Sequence, residues 1–196
     1  MKKMIISIMC LCLLSCSSGQ FDVFINNFKT ISLPFLIIDE TFDRTAVRED
    51  LYVISEEDVV KYLMMENDTF VNIKESSVRT GYPKYMAVGK FNVYDDFLGV
   101  LYFRTIDRED GNIILELMLC VFTKKGKLIS TYPISGTYTA EKLKFFSTIF
   151  SAENIEISFY QMETHEDRFG IYYTTSEEVF ETKNLYISKE GLIQQR

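Results

Sequence analysis

From Tyr85 to the C-terminus, apolar and polar residues alternate with period two in segments of four to eleven residues. The segments are rich in Val, Ile, Phe, Tyr and Thr and are separated by short turn clusters. This spacing predicts strands at about 85–94, 97–107, 112–123, 127–135, 142–150, 154–164, 168–175, 179–188 and 191–195. The predicted turns are Asp95-Asp96, Asp110-Gly111, Lys124-Lys125-Gly126, Ser151 to Asn154, His165 to Asp167, Ser176-Glu177 and Lys189-Glu190-Gly191. Tight connections make sequential strands neighbours, which gives an antiparallel meander. In 112–123, Ile113, Leu115, Leu117, Leu119 and Val121 share one face, and the other face is mixed. Segment 97–107 is apolar on both faces, so it needs cover on both sides. That cover is expected from N-terminal helices or from a curved sheet folding over itself.

The first half of the chain has a different rhythm. Phe21, Phe24, Ile25 and Phe28 recur at helical spacing with polar residues between them, predicting a short amphipathic helix packed on the sheet. Residues 31–38 are extended, with Pro34 expected at a strand start or edge because it lacks a ladder donor. Residues 39–50 are expected to be a loop. Ser55-Glu56-Glu57-Asp58 then supplies a cap and acids for a second helix ending near 65–67. Residues 68–84 are polar, with a turn at Gly81-Tyr82-Pro83. The expected class is α+β, predominantly an antiparallel β meander of about eight or nine strands with one or two short N-terminal helices. A single β-rich domain would span 21–196, its helical part at about 21–84 and its meander at about 85–196.

Thr123-Lys124-Lys125-Gly126-Lys127-Leu128-Ile129 is echoed by Ser188-Lys189-Glu190-Gly191-Leu192-Ile193. Two copies are too few for a repeat architecture, and hairpin chemistry explains both, with glycine supplying a positive φ at the tip.

The chain begins with Lys2-Lys3 and an uncharged apolar run from Met4 to Leu14. A spanning helix needs roughly 20 apolar residues, so this shorter run, stopped by Ser17-Ser18-Gly19-Gln20, has the form of a secretory signal. It closes on Leu13-Leu14-Ser15-Cys16, which resembles the bacterial lipobox. The resemblance implies removal of residues 1–15, lipidation of Cys16 and a short tether over 16–20. Several acyl chains, each contributing about 0.8 kcal/mol per buried methylene, would hold such a protein stably at a membrane.

The arrangement as a whole resembles uncharacterised small lipoproteins of Bacteroides-type bacteria. The features that carry this are the lipobox, the Phe-rich amphipathic segment, Leu33-Pro34-Phe35 and the late meander with Phe-Thr-Lys-Lys-Gly-Lys-Leu-Ile at 122–129. The resemblance implies a location and no activity. An acidic run after the lipidated cysteine, associated in such bacteria with display outside the cell, is absent here before Asp22. The expected location is therefore the periplasmic face of the outer membrane.

Charge narrows the partners. Loss of Lys2 and Lys3 takes the net charge from −7 to −9, which disfavours nucleic acid. A net charge of that sign also repels anionic headgroups. Of four cysteines, Cys10 and Cys12 leave with the signal and Cys16 takes the lipid, so Cys120 is left without a disulfide partner.

Candidate chemistry is sparse. His165 is the single histidine, in a polar stretch where a solvated turn residue is the plainer reading. Cys120 lies mid-strand, where burial makes a thiol a small hydrophobe. One histidine and one spare thiol do not assemble a zinc site of ordinary ligands, and no cofactor is expected. Asp95-Asp96 and Asp107-Arg108-Glu109-Asp110-Gly111-Asn112 are hairpin ends; the second is oxygen-rich but lacks the ligand alternation of a calcium loop. With 16 Phe, 12 Tyr and no Trp, late tyrosines such as Tyr172, Tyr173 and Tyr186 are candidates for a sugar- or partner-binding face. A β-rich core also accounts for them. The leading expectation is a membrane-anchored lipoprotein, a non-catalytic binding or envelope-assembly module with a protein or glycan partner on its sheet surface. The alternative is a carboxylate-dependent hydrolase of envelope or dietary glycans, which needs two facing carboxylates.

Overall fold

Among the described residues, the period-two segments pair, together with two short strands from the first half of the chain, into one ten-stranded antiparallel sheet. The computed structural model describes residues 19–37, 51–64, 85–107, 113–138, 142–166 and 172–196. The leader with Cys16, the expected loop at 39–50 and the segment 68–84 lie outside the described residues. The strands are β1 (Phe35–Leu36), β2 (Tyr52–Val53), β3 (Tyr85–Val93), β4 (Phe97–Asp107), β5 (Ile113–Thr123), β6 (Leu128–Tyr138), β7 (Leu143–Ser151), β8 (Asn154–Glu166), β9 (Tyr172–Ile187) and β10 (Ile193–Gln195). They run in sequence order from β2 to β10, and β1 pairs with β7 off that path. The chain is thus α+β with a predominantly antiparallel meander.

The sheet bends where β6 meets β7. Their pairing is limited to Gly136↔Phe145, Thr137↔Lys144 and Tyr138↔Leu143. A Cβ on Gly136 would lie 2.7 Å from the Phe145 ring, so only glycine leaves the ring room. Beyond that point the strands part. Ser147 N donates to the buried Ser135 Oγ (3.1 Å), bridging the gap, and Ile37 N donates to the Ser147 carbonyl (3.0 Å). Next to it, β1 pairs Phe35↔Ile149 and Leu36↔Thr148, directly after Pro34 as its missing donor requires.

The bend lets the two halves of the sheet face each other. Leu101, Phe103, Leu117, Leu119 and Val121 from β4 and β5 pack with Ile149, Ile155, Ile157, Leu185 and Ile187 from β7 to β9. Each such side chain contributes about 1.5–3 kcal/mol when fully buried. One rim is tied by hydrogen bonds. Tyr94 Oη donates to the Ile187 carbonyl (3.0 Å), with Glu153 Oε1 3.3 Å away, and Ser130 Oγ donates to the Gly191 carbonyl (2.7 Å).

The other face of β3 to β5 is covered by two short helices, α1 (residues 19–26) and α2 (Glu56–Asp58 continuing as a π turn, Val59–Leu63). Phe21, Phe24, Ile25, Phe28, Val59, Tyr62 and Leu63 pack there on Val100, Tyr102, Met118, Cys120 and Phe122. Strand β4 therefore receives both covers named as alternatives above. Ser55 Oγ accepts from Asp58 N (3.1 Å) and caps α2. Lys90 Nζ donates to the Ile25 carbonyl (2.8 Å), placing a cation at the end of α1 where the dipole favours it.

Several local expectations are corrected. Ser176-Glu177 is not a turn: β9 is continuous, and its register against β8 shifts between Met162↔Ser176, Tyr160↔Val179 and Phe159↔Glu181. Extra residues on one strand make bulges, and a polar pair at a bulge imitates a turn in sequence. His165 lies in β8 opposite Tyr173, where a turn is expected. Strand β6 continues past 135 to Tyr138, because Pro133 sits beside a register shift that relieves it of a ladder donor. Helix α2 stops at Leu63 with Met64 extended, and β2 forms ahead of it where no strand is expected. At the hairpin tips, Gly126 and Gly191 have φ of 88° and 82°, as their turns require.

Candidate functional site

Glu116 is the buried acid of the described residues, and its position follows from the β4–β5 register. The strands pair Arg104↔Glu116, so the two side chains emerge side by side on one face. Arg104 Nε donates to Glu116 Oε2 at 2.5 Å, and the Tyr138 hydroxyl from β6 donates to Glu116 Oε1. Burial by itself lowers the affinity of the Arg104 guanidinium for its proton. The Glu116 carboxylate outweighs that through charge and hydrogen bonding, and the net shift is upward. Both carboxylate oxygens are engaged, so the cluster ties three strands together and leaves Glu116 poorly placed for proton transfer.

Tyr138 opens an aromatic file. Its ring meets Phe145 edge-on (5.3 Å, 70°), Phe145 stacks on Phe159 (5.4 Å, 19°), and Phe159 approaches Phe180 (6.4 Å). Lys183 Nζ sits 4.6 Å above the Phe159 ring and 3.6 Å from Glu181. The file ends in solvent: Phe180 is 56% exposed and its neighbour Val179 46%. An exposed ring backed by the partly buried Phe159 and, behind it, the buried Phe145 is a stacking platform suited to a sugar face or a partner's apolar side chain.

Of the residues singled out from sequence, Tyr186, Cys120, Asp95 and Asp96 lie away from this platform. Tyr186 lies at the other end of β9, its hydroxyl donating to Gln194 Oε1 (2.5 Å) and its ring under Arg196 (5.1 Å). Tyr172 and Tyr173 pair with Glu166 and His165 in the β8–β9 ladder. Cys120 is fully buried, Sγ 3.4 Å from Thr131 Oγ1, in the layer beneath the helices. Asp95 and Asp96 occupy the β3–β4 turn, where the Asp96 carbonyl accepts from Lys124 N (3.1 Å). Asp107 ends β4, while residues 108–112 and Cys16 lie outside the described residues. Among the described residues, no three His, Cys, Asp or Glu side chains converge as a metal site.

Arg104, Glu116, Phe159 and Phe180 are not singled out by the sequence reading. A signal for Glu116 exists, since it is the lone charge in the apolar strand β5. No family model, curated protein or solved structure matches the chain. Among the described residues, no helix is long and apolar enough to cross a membrane.

Proposed function

We propose that the protein is a bacterial envelope lipoprotein. It is anchored through lipid on Cys16 at the periplasmic face of the outer membrane, and it acts as a non-catalytic binding or assembly module. The observation that carries this reading is the ordered series Lys2-Lys3, the apolar run Met4 to Leu14, and Leu13-Leu14-Ser15-Cys16. Two structural facts support a binding role over catalysis. The remaining thiol, Cys120, is packed in the core, and the buried acid, Glu116, is committed to Arg104 and Tyr138. The exposed end of the aromatic file, Phe180 with Val179, is the surface offered to a protein or glycan partner.

The test is Cys16→Ala in the expressing bacterium. Palmitate labelling disappears and the protein moves from the membrane to the soluble fraction; an unchanged membrane fraction refutes the anchor. Hydrolysis of a glycan panel by purified protein, abolished by substituting its acids, would instead establish the carboxylate-dependent hydrolase.

A further inference from the structure

The β5–β6 hairpin, at the end of the domain nearest the anchor, carries three exposed lysines and no acid. Phe21 in α1 is 2% exposed and packs on the β5–β6 hairpin: a Cβ on Gly126 would lie 2.5 Å from the Phe21 ring. That hairpin is Thr123-Lys124-Lys125-Gly126-Lys127, with all three lysines exposed. A fourth, Lys61 of α2, donates from Nζ to Gln20 Oε1 at 2.6 Å. The first described turn of α1 is therefore held by Lys61 on α2 and lies against the lysine-bearing hairpin at Gly126. Among the described residues, the three hairpin lysines form no ion pair. Lys189 adds to them, while Asp22, Asp95, Asp96, Glu153 and Glu190 share this end of the molecule and offset the charge, so the lysines are concentrated on the hairpin and not over the whole end.

Chain length then fixes the geometry. Only Ser17 and Ser18 stand between Cys16 and Gly19, and three extended Cα–Cα steps span at most about 11 Å. A lipid on Cys16 cannot sit far from the hairpin. Charges interact with a surface only within a Debye length, about 8–10 Å at physiological salt. The nearby lysines are then felt by the membrane more strongly than the net charge of the distant remainder.

We propose that the β5–β6 hairpin rests on anionic phospholipid headgroups beside the anchor, so that the domain is held in one orientation. This rests on the lipoprotein reading above. The turns Tyr94–Asp96, Lys124–Lys127 and Lys189–Gly191 then lie at the membrane end. Phe180, seven residues up β9 from Ile187 or about 23 Å along the strand, lies away from it. The anchor end carries adhesion, and the opposite end carries the aromatic platform.

The experiment uses the acylated protein reconstituted into phosphatidylcholine vesicles with and without phosphatidylglycerol. A thiol-reactive fluorophore is placed on Lys125→Cys or, at the far end, on Glu178→Cys; unlabelled Cys120 is buried and serves as the background control. A nitroxide lipid quenches at headgroup depth. The Lys125→Cys dye is quenched in vesicles containing phosphatidylglycerol, and the Glu178→Cys dye is not. Each lysine near an anionic surface is worth about fivefold in the docked-to-undocked ratio, so adding Lys124→Gln and Lys127→Gln lowers it roughly 25-fold. Equal quenching at the two positions, or quenching indifferent to phosphatidylglycerol, overturns the docking. Intact mass separates the two ideas: a chain without lipid overturns the anchor and the docking with it, whereas a lipidated chain with an unquenched position 125 overturns the docking alone.

Discussion

Phe24→Ala measures how firmly α1 holds to the sheet. Phe24 is 1% exposed, and its ring stacks on Tyr62 (4.5 Å) and meets Phe28 (5.2 Å) and Phe122 (6.4 Å). Truncation removes a whole buried ring and opens a cavity between α1, α2 and β5, a change that costs about 3–5 kcal/mol. The surrounding groups are themselves rings, whose stiffness limits collapse into the gap, so about 4 kcal/mol is expected. Phe24→Leu retains most of the apolar area and loses the ring pairs, for about 1.5 kcal/mol. Val23, one residue away on the same helix but 69% exposed, is the control. Val23→Ala should stay within about 0.5 kcal/mol. The assay is urea unfolding followed by circular dichroism. With a slope of about 2 kcal/mol per molar urea, Phe24→Ala lowers the midpoint by about 2 M. If Phe24→Ala costs no more than Val23→Ala, α1 does not contribute to the folded sheet, and the argument for a fixed orientation at the membrane falls with it.

Glu116→Gln should destabilise by about 2–3 kcal/mol because it leaves the Arg104 guanidinium without its counter-charge; the 31% exposure of that side chain keeps the cost at the low end. The double substitution Arg104→Met with Glu116→Met should recover most of the loss in the same titration, and a double variant as unstable as the single would refute the account. Tyr102 gives a pH prediction: burial, reinforced by Cys120, holds its phenol well above the ordinary 10.0. Below pH 10 both folded and unfolded forms keep the proton. Above it the unfolded chain ionises first, so stability falls as pH rises, by about 1.4 kcal/mol per pH unit for one such group. Tyr102→Phe should flatten that alkaline fall in urea midpoints measured above pH 10, and an unchanged slope would show that Tyr102 ionises freely in the fold.

The meander was legible because a half-buried strand writes its two faces into alternate residues, and because Gly126 and Gly191 mark turns that demand positive φ. The same reasoning failed at Ser176-Glu177, where a bulge and a turn use the same polar residues and only the partner strand distinguishes them. Strand β6, expected to end at about 135, runs on to Tyr138, and Gly136 in that extension makes room for Phe145, a contact that only the partner strand reveals. The two-residue strands β1 and β2 left no periodicity to detect. For the site, the burial of Cys120 was readable from its apolar strand. The aromatic file was not, since Tyr138, Phe145, Phe159 and Phe180 come from four strands and meet only through register and bending.

The pairing of β1 with β7 also sets an order of events during folding. Phe35 and Ile149 are partners although 114 positions separate them, and Ile37 completes the bend only through Ser147. Closing so long a loop gains nothing until the later hairpins have already brought their own neighbours together. Strand β1 is therefore among the last to find its place although it is made early, and a chain interrupted before residue 149 would lack the partner strand on which it comes to rest.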